Sequence, residues 1–183
     1  MGKLSVFNFI TLNGFYRGAA EDISWHKHGV EGEEFSAEGL KSGNILLFGR
    51  TTYEMMAGFW PTEMAMESFP KVATGMNKAD KIVFSRTLVN TKWTNTRIIG
   101  KNMIEEMQRL KGSLDKDMTI LGSGSIVAQF ADAGLIDEFQ FMVDPVAIGE
   151  GTPIFSNIKQ KLELQLTGCR TFESGALLLS YQP

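Results

Sequence analysis

The chain is nearly devoid of cysteine: Cys169 is the only one in 183 residues. A single thiol can build neither a disulfide framework nor a cysteine-based zinc site. Within "LQLTGCRTF", Cys169 reads as a small buried apolar residue. Histidine is almost as scarce. His26 and His28 are the only two, and they read as part of a loop at a cleft rim, with no further ligands to complete a metal set. Positive charge is sparse too. The formal net charge is -3 and no Lys/Arg run exceeds two residues, which excludes the basic stripe of a nucleic-acid binder. No apolar run is long enough to span a bilayer. The start "MGKLSVFNFI" lacks a basic region followed by an A-x-A-like site. It also carries Val6 where a myristoylation signal needs Ser or Thr. The cytoplasm is therefore the expected location.

What is present is ordinary globular material, 43% hydrophobic and 21% charged. The length suits a single domain over 1–183. Apolar runs of strand length alternate with helical patterns. "LSVFNFI" (4–10), "ILLF" (45–48), "KIVFS" (81–85), "TRIIG" (96–100) and "MTIL" (118–121) read as strands. "EEFSAEGLKSG" (33–43) reads as a helix stopped by Gly43, and "TTYEMMAGF" (51–59) as a helix with Thr51 as N-cap and Glu54 completing a capping box. "NMIEEMQRLKG" (102–112) and "SIVAQFADAG" (125–134) read as further helices, ending at Gly112 and Gly134. "DEFQFMV" alternates, as do "KLELQLTGCRTF" and "ALLLSY" around a turn at "ESG". This order predicts a three-layer α/β fold: a mostly parallel mixed sheet, helices on both faces and an antiparallel C-terminal edge.

Two strand-to-helix turns carry phosphate-binding chemistry. In "FGRTTYE" (48–54), Gly49 allows a close backbone approach, Arg50 offers a charged fork, and Thr51 and Thr52 add hydroxyls at a helix N-terminus. "GSGS" (122–125) repeats the logic without a charged side chain. Either turn alone is equally well a tight connection. Two of them in one sheet suit a dinucleotide, which has two phosphates to place. A Rossmann fingerprint is a poor match, because Val127 replaces the third glycine and the motif comes too late in the chain.

The ordered set "LSVFNFITLNGFYRG", "ILLFGRTTYEMM", "KIVFSRTL", "MTILGSGSIVAQFADAGLIDEF", "VAIGEGTPIF" and "FESGALLLSY" resembles the dihydrofolate reductase superfamily. Within it, the chain is most similar to the branch holding the C-terminal reductase domain of the bifunctional riboflavin-biosynthesis deaminase–reductase, as a stand-alone relative. The resemblance spans nearly the whole chain. It implies an NADPH-dependent oxidoreductase that reduces a small heterocycle, with a true dihydrofolate reductase and an NADP-binding module without turnover as the alternatives. Residue by residue, it assigns NADPH phosphates to Gly49, Arg50, Thr51 and Thr52, and the adenosine-side phosphate to Ser85 and Arg86. The pyrophosphate and nicotinamide side falls to Gly122, Ser123, Gly124, Ser125, Ile126 and Val127.

Dihydrofolate reductases carry one acidic residue on the helix before the "GR" strand, and counting back from Gly49 lands on Glu33, with Glu34 beside it. These would act on a pterin-like ring; equally, Glu31, Glu33 and Glu34 form a solvated helix start. The usual Pro-Trp is missing, and "EDISWHKH" places Trp25 in the corresponding loop. A phosphorylated ribosylamino-pyrimidine, the substrate type of the riboflavin branch, would require basic groups; Arg17, Lys27, His26 and His28 are candidates by position. No deaminase zinc motif is present. "MMAGFWPTEMAMESF" (55–69) reads as core packing or as an adaptable wall over a substrate pocket containing Trp60. The branch also implies a homodimer, to whose interface the apolar faces of the C-terminal strands "LELQLTGCRTF" and "ALLLSY" are expected to contribute, while the charge and the short apolar runs leave no nucleic-acid or membrane partner expected.

Overall fold

A computed structural model of the protein describes residues 2–27 and 29–183. In chain order the elements are β1 (Leu4–Thr11), β2 (Phe15–Gly18), α1 (Val30–Lys41), β3 (Ile45–Gly49), α2 (Arg50–Phe59), α3 (Glu63–Ser68), α4 (Pro70–Lys78) and β4 (Lys81–Phe84). There follow β5 (Thr96–Ile99), α5 (Met103–Ser113), β6 (Met118–Leu121), α6 (Gly124–Asp132), β7 (Glu138–Asp144), β8 (Gly151–Pro153), β9 (Gln165–Thr171) and β10 (Leu177–Gln182).

Among the described residues the main sheet has order β5-β4-β3-β6-β1-β7-β10-β9. Its first six strands are parallel, and β10 and β9 complete it antiparallel. β3 and β4 are buried along their whole length, as strands covered on both faces must be. β1 sorts its side chains by alternation. Leu4 and Val6 join Ile120, Phe139 and Phe130 in the core beneath α5 and α6. Phe7 and Phe9 turn to the opposite face, toward Phe35 and Phe172. Leu46, Phe48 and Val83 meet Tyr53, Trp60 and Met76 in a core under α2–α4. β2 and β8, too short to carry a hydrophobic pattern, form a separate antiparallel ribbon. None of the described helices is long and apolar enough to cross a membrane.

Two local expectations are corrected. Thr51 does not cap α2: the helix opens at Arg50 straight from β3, with Gly49 as its N-cap and no side-chain cap bond. Cys169 is exposed, not buried, because β9 is the outermost strand and most of its residues face water. Gly43 does stop α1 as expected: the helix ends at Lys41 with Ser42 as its C-cap, and Gly43 follows in the left-handed region at φ +77. The Met-rich stretch breaks where Thr62 caps α3 by accepting the Ala65 N–H (3.2 Å) and Pro70 opens α4.

Lys81 starts β4 fully buried. Its ammonium donates to the carbonyls of Ala79 (2.6 Å), Thr94 (3.2 Å) and Asn77 (3.3 Å), and lies 4.5 Å from the centre of the Trp93 ring. Burial pulls its pKa down to about 8, with Asp80 opposing the shift. It ties α4 to the β4 edge of the sheet.

Candidate functional site

β3 and β6 are neighbouring parallel strands, so their helices leave the same edge of the sheet side by side. The two glycine turns between strand and helix are bonded to each other. The Gly49 N–H donates to Ser123 Oγ (2.8 Å), and the Ser123 N–H donates to Thr52 Oγ1 (3.1 Å). Ser123 Oγ in turn donates to the Leu121 carbonyl (2.9 Å). Gly122 holds φ +58, and a Cβ there would stand 2.8 Å from Thr52 Cγ2. Ser123 follows in the left-handed region at φ 60. The result is a rigid double turn that presents the positive ends of two helix dipoles together, a geometry suited to an anion.

Tyr16 of β2 leans on this turn. Its hydroxyl accepts the Gly124 N–H, and burial raises its pKa, with Arg17 the largest opposing influence. A Cβ on Gly124 would lie 2.9 Å from the Tyr16 ring.

Below the double turn lies a cavity of about 830 Å3. Its floor is the sheet face that carries Ser5 and Phe7 of β1, whose register partners are Thr119 and Leu121 on one side and Glu138 and Gln140 on the other. Its roof comes from α1 (Phe35, Ser36, Leu40), α2 (Met55, Met56, Phe59) and α4 (Val72, Met76). At the mouth stand Tyr16, Arg17, Glu21, Trp25 and His26. Thr51, Thr52 and Gly122 line the cavity as well, so one short stretch of backbone belongs to both the double turn and the cavity wall.

His26 is tightly placed. Its ring stacks 3.8 Å from that of Phe9, and its Nδ1 is 2.8 Å from the buried carboxylate of Asp144. Asp144 ends β7 opposite Thr11 in the β1 register. The pair was not found from the sequence, where His26 read as a residue of a loop at a cleft rim. Their separation of 118 positions leaves no local signal. Arg17 is ion-paired to Glu21. Among the described residues, the buried side-chain polar atoms without a hydrogen-bond partner are the Asn8 amide atoms, Arg17 Nε, Trp25 Nε1 and Ser36 Oγ. All four residues line this cavity.

The other residues singled out from sequence fall as follows. Trp25 and Trp60 both line the cavity, and Trp60 Nε1 points to Met56 Sδ (2.9 Å). Arg50 lies outside the lining, paired with Glu54 at 3.3 Å. Ser125 is exposed. Ile126 and Val127 bury their side chains in the core, and their N–H groups donate to the Ser123 carbonyl (2.9 and 3.1 Å). Ser85 Oγ accepts the N–H groups of Leu88 (3.0 Å) and Thr87 (3.2 Å), which shapes the turn that presents Arg86, itself exposed. Glu33 sits in the first turn of α1 and Glu34 just after it, both outside the cavity lining. That end of the helix faces the β9–β10 turn, where Glu31 accepts the Glu173 N–H (2.6 Å) and lies 3.8 Å from Arg170. Lys27 is exposed. His28 lies outside the described residues.

Comparison with known proteins follows the same lines. Residues 3–178 match the family described as the RibD C-terminal domain. The chain is 29% identical to the uncharacterized protein YyaP of Bacillus subtilis, over 94% of this chain and 90% of that one. Its fold is similar to that of the diaminohydroxyphosphoribosylaminopyrimidine deaminase/5-amino-6-(5-phosphoribosylamino)uracil reductase of Thermotoga maritima, with TM-score 0.70 and 13% identity over all of this chain and 56% of that one. It is also similar to that of a dihydrofolate reductase from Enterococcus faecalis complexed with NADP(H), with TM-score 0.62 and 15% identity over 99% of this chain and 96% of that one.

Proposed function

The chain belongs to the RibD C-terminal domain family, and from that premise we propose that it is an NADPH-dependent reductase that transfers hydride to a small heterocycle. The observation that carries the reading is the double turn sharing Thr51, Thr52 and Gly122 with the wall of a deep cavity. Such an arrangement holds a pyrophosphate at two helix N-termini and leaves the reactive end of a dinucleotide at the cavity. Gly49, Arg50, Thr51, Thr52 and the Gly122–Val127 turn hold the phosphates, with Ser85 and Arg86 on the adenosine side. When bound, the cofactor supplies a hydride to a carbon of the substrate. Reduction of a C=N or C=O bond also requires a proton on the heteroatom, and His26, oriented by Asp144, is placed to deliver it. No carboxylate of α1 lines the cavity, which favours a riboflavin-branch reductase over a true dihydrofolate reductase.

NADPH titration is expected to quench tryptophan emission, and Trp25→Phe to remove most of the quench. In a heterocycle screen, NADPH oxidation is expected with at least one compound, and His26→Gln to lower its kcat about a hundredfold without weakening NADPH binding. Absence of both quench and oxidation overturns the reading. The same reading includes a homodimer paired through β9 and β10, where Leu166 is 57% exposed on the sheet edge. Light scattering that shows only the 20.3 kDa monomer at every concentration would remove the dimer.

A further inference from the structure

The charge of the cavity wall does not match a phosphorylated ligand. Among the described lining residues, the fixed cations are Lys3 and Arg17, against the carboxylates of Glu21, Asp117 and Glu138. Glu21 pairs with Nη1 of the Arg17 fork, and His26 is held by Asp144. Lys27, the other basic candidate of the mouth, is exposed and outside the lining. A dianion in this space would lose its hydration and meet a carboxylate majority, with the charge of Arg17 already offset by Glu21.

The rest of the wall has a definite chemistry. Phe7, Phe35, Leu46, Phe59, Val72 and Met76 make the interior a slot with aromatic and aliphatic faces. Arg17 Nε and Trp25 Nε1 are donors only, and both are buried without a partner among the described residues. Ser36 Oγ, buried likewise on the roof, donates or accepts. Unsatisfied buried donors are costly, and a ligand relieves that cost by presenting acceptors.

We propose that this cavity binds an uncharged, flat heteroaromatic compound bearing ring carbonyl or ring nitrogen acceptors, and discriminates against its phosphorylated counterpart. The proposal rests on the reductase reading for its purpose but on the lining alone for its chemistry. In the riboflavin branch it separates this chain from reductases of phosphorylated substrates.

Calorimetric titration of the protein in saturating NADP+, so that the anion site of the double turn is filled, using riboflavin and its 5′-phosphate, tests the proposal. The two probes share the flat, acceptor-rich isoalloxazine and differ only in the phosphate. Riboflavin is expected to bind at least about tenfold more tightly. Ser36→Ala and Trp25→Phe are each expected to weaken riboflavin severalfold. Glu138→Lys, which reverses the majority charge of the wall, is expected to narrow or invert the preference; its melting curve shows whether the variant is folded. Equal or tighter binding of the phosphate, or no saturable binding of either probe, overturns the inference. Selective riboflavin binding without NADPH oxidation by any heterocycle leaves the inference standing and removes the reductase reading. NADPH-driven reduction of a phosphorylated ligand in preference to a neutral one does the reverse.

Discussion

Replacing Arg86 with alanine is expected to weaken NADPH binding about ten- to a hundredfold and to leave NADH binding nearly unchanged. β4 pairs with β3 so that Phe84 stands opposite Gly49. Arg86 therefore lies just past the level at which β3 enters α2, on the same edge of the sheet and one strand away, roughly 5 Å across. The intervening turn is fixed by Ser85 Oγ, which accepts the N–H groups of Leu88 and Thr87. The backbone of Arg86 is thus set by a short, ordered turn, and on the proposed reading its side chain reaches the ribose 2′-phosphate of NADPH. A bidentate fork on a phosphate contributes roughly 1.5–3 kcal/mol, and NADH offers it nothing to hold. Arg50 does not compensate, because the proposed reading assigns it to the phosphates at the start of α2. Fluorescence titration of both cofactors against parent and variant decides the matter. An equal loss for the two cofactors, or no loss, removes Arg86 from the site.

The second large effect is expected at Gly122. Gly122→Ala places a side chain at φ +58, which costs roughly 1–2 kcal/mol. It also drives a Cβ to 2.8 Å from Thr52 Cγ2, and overpacking of that kind costs about 1–3 kcal/mol. Together these should lower Tm by about 5–15 °C and abolish NADPH binding, because Thr52 also anchors Ser123. Thr52→Ser in the same chain removes the obstructing methyl and keeps the hydroxyl that accepts the Ser123 N–H. The double variant should regain part of the lost Tm but not all, since the backbone strain remains. Gly124→Val differs in kind, since it presses on the Tyr16 ring, which belongs to a short ribbon and can move. It should cost cofactor binding more than stability. A Gly122→Ala protein that melts with the parent, or a double variant with no recovery, would show that the double turn is not packed as described.

Both glycine turns were legible as separate features because each has a local signature, an apolar run, a glycine and then a helical pattern. Their union was not. The Gly49–Ser123 bond spans 74 positions, and it exists because β6 inserts beside β3, a strand order that periodicity does not encode. Thr51 shows the converse error. It matched a capping box, yet the chain enters α2 at Arg50, and it is Thr52 whose hydroxyl is used, by a residue from the other turn.

The sequence by itself determined the strands of the main sheet with its antiparallel end, the helices α1, α2, α5 and α6, the family and the two turns, because these follow from short-range patterns that one strand or helix carries whole, but not β2, β8, α3 or α4. It could not determine which polar groups meet. Glu33 and Glu34 lie on the correct helix but at the end that faces the β9–β10 turn, so α1 presents Phe35 and Ser36 to the cavity instead. Cys169 alternates like a core residue but sits on β9, the edge strand of the sheet among the described residues. His26 and Asp144 become a pair only when β7 aligns along β1 and brings Asp144 beside Thr11. Burial and charge pairing depend on neighbours distant in the chain, and those neighbours are set by strand order and register, which tertiary packing alone decides.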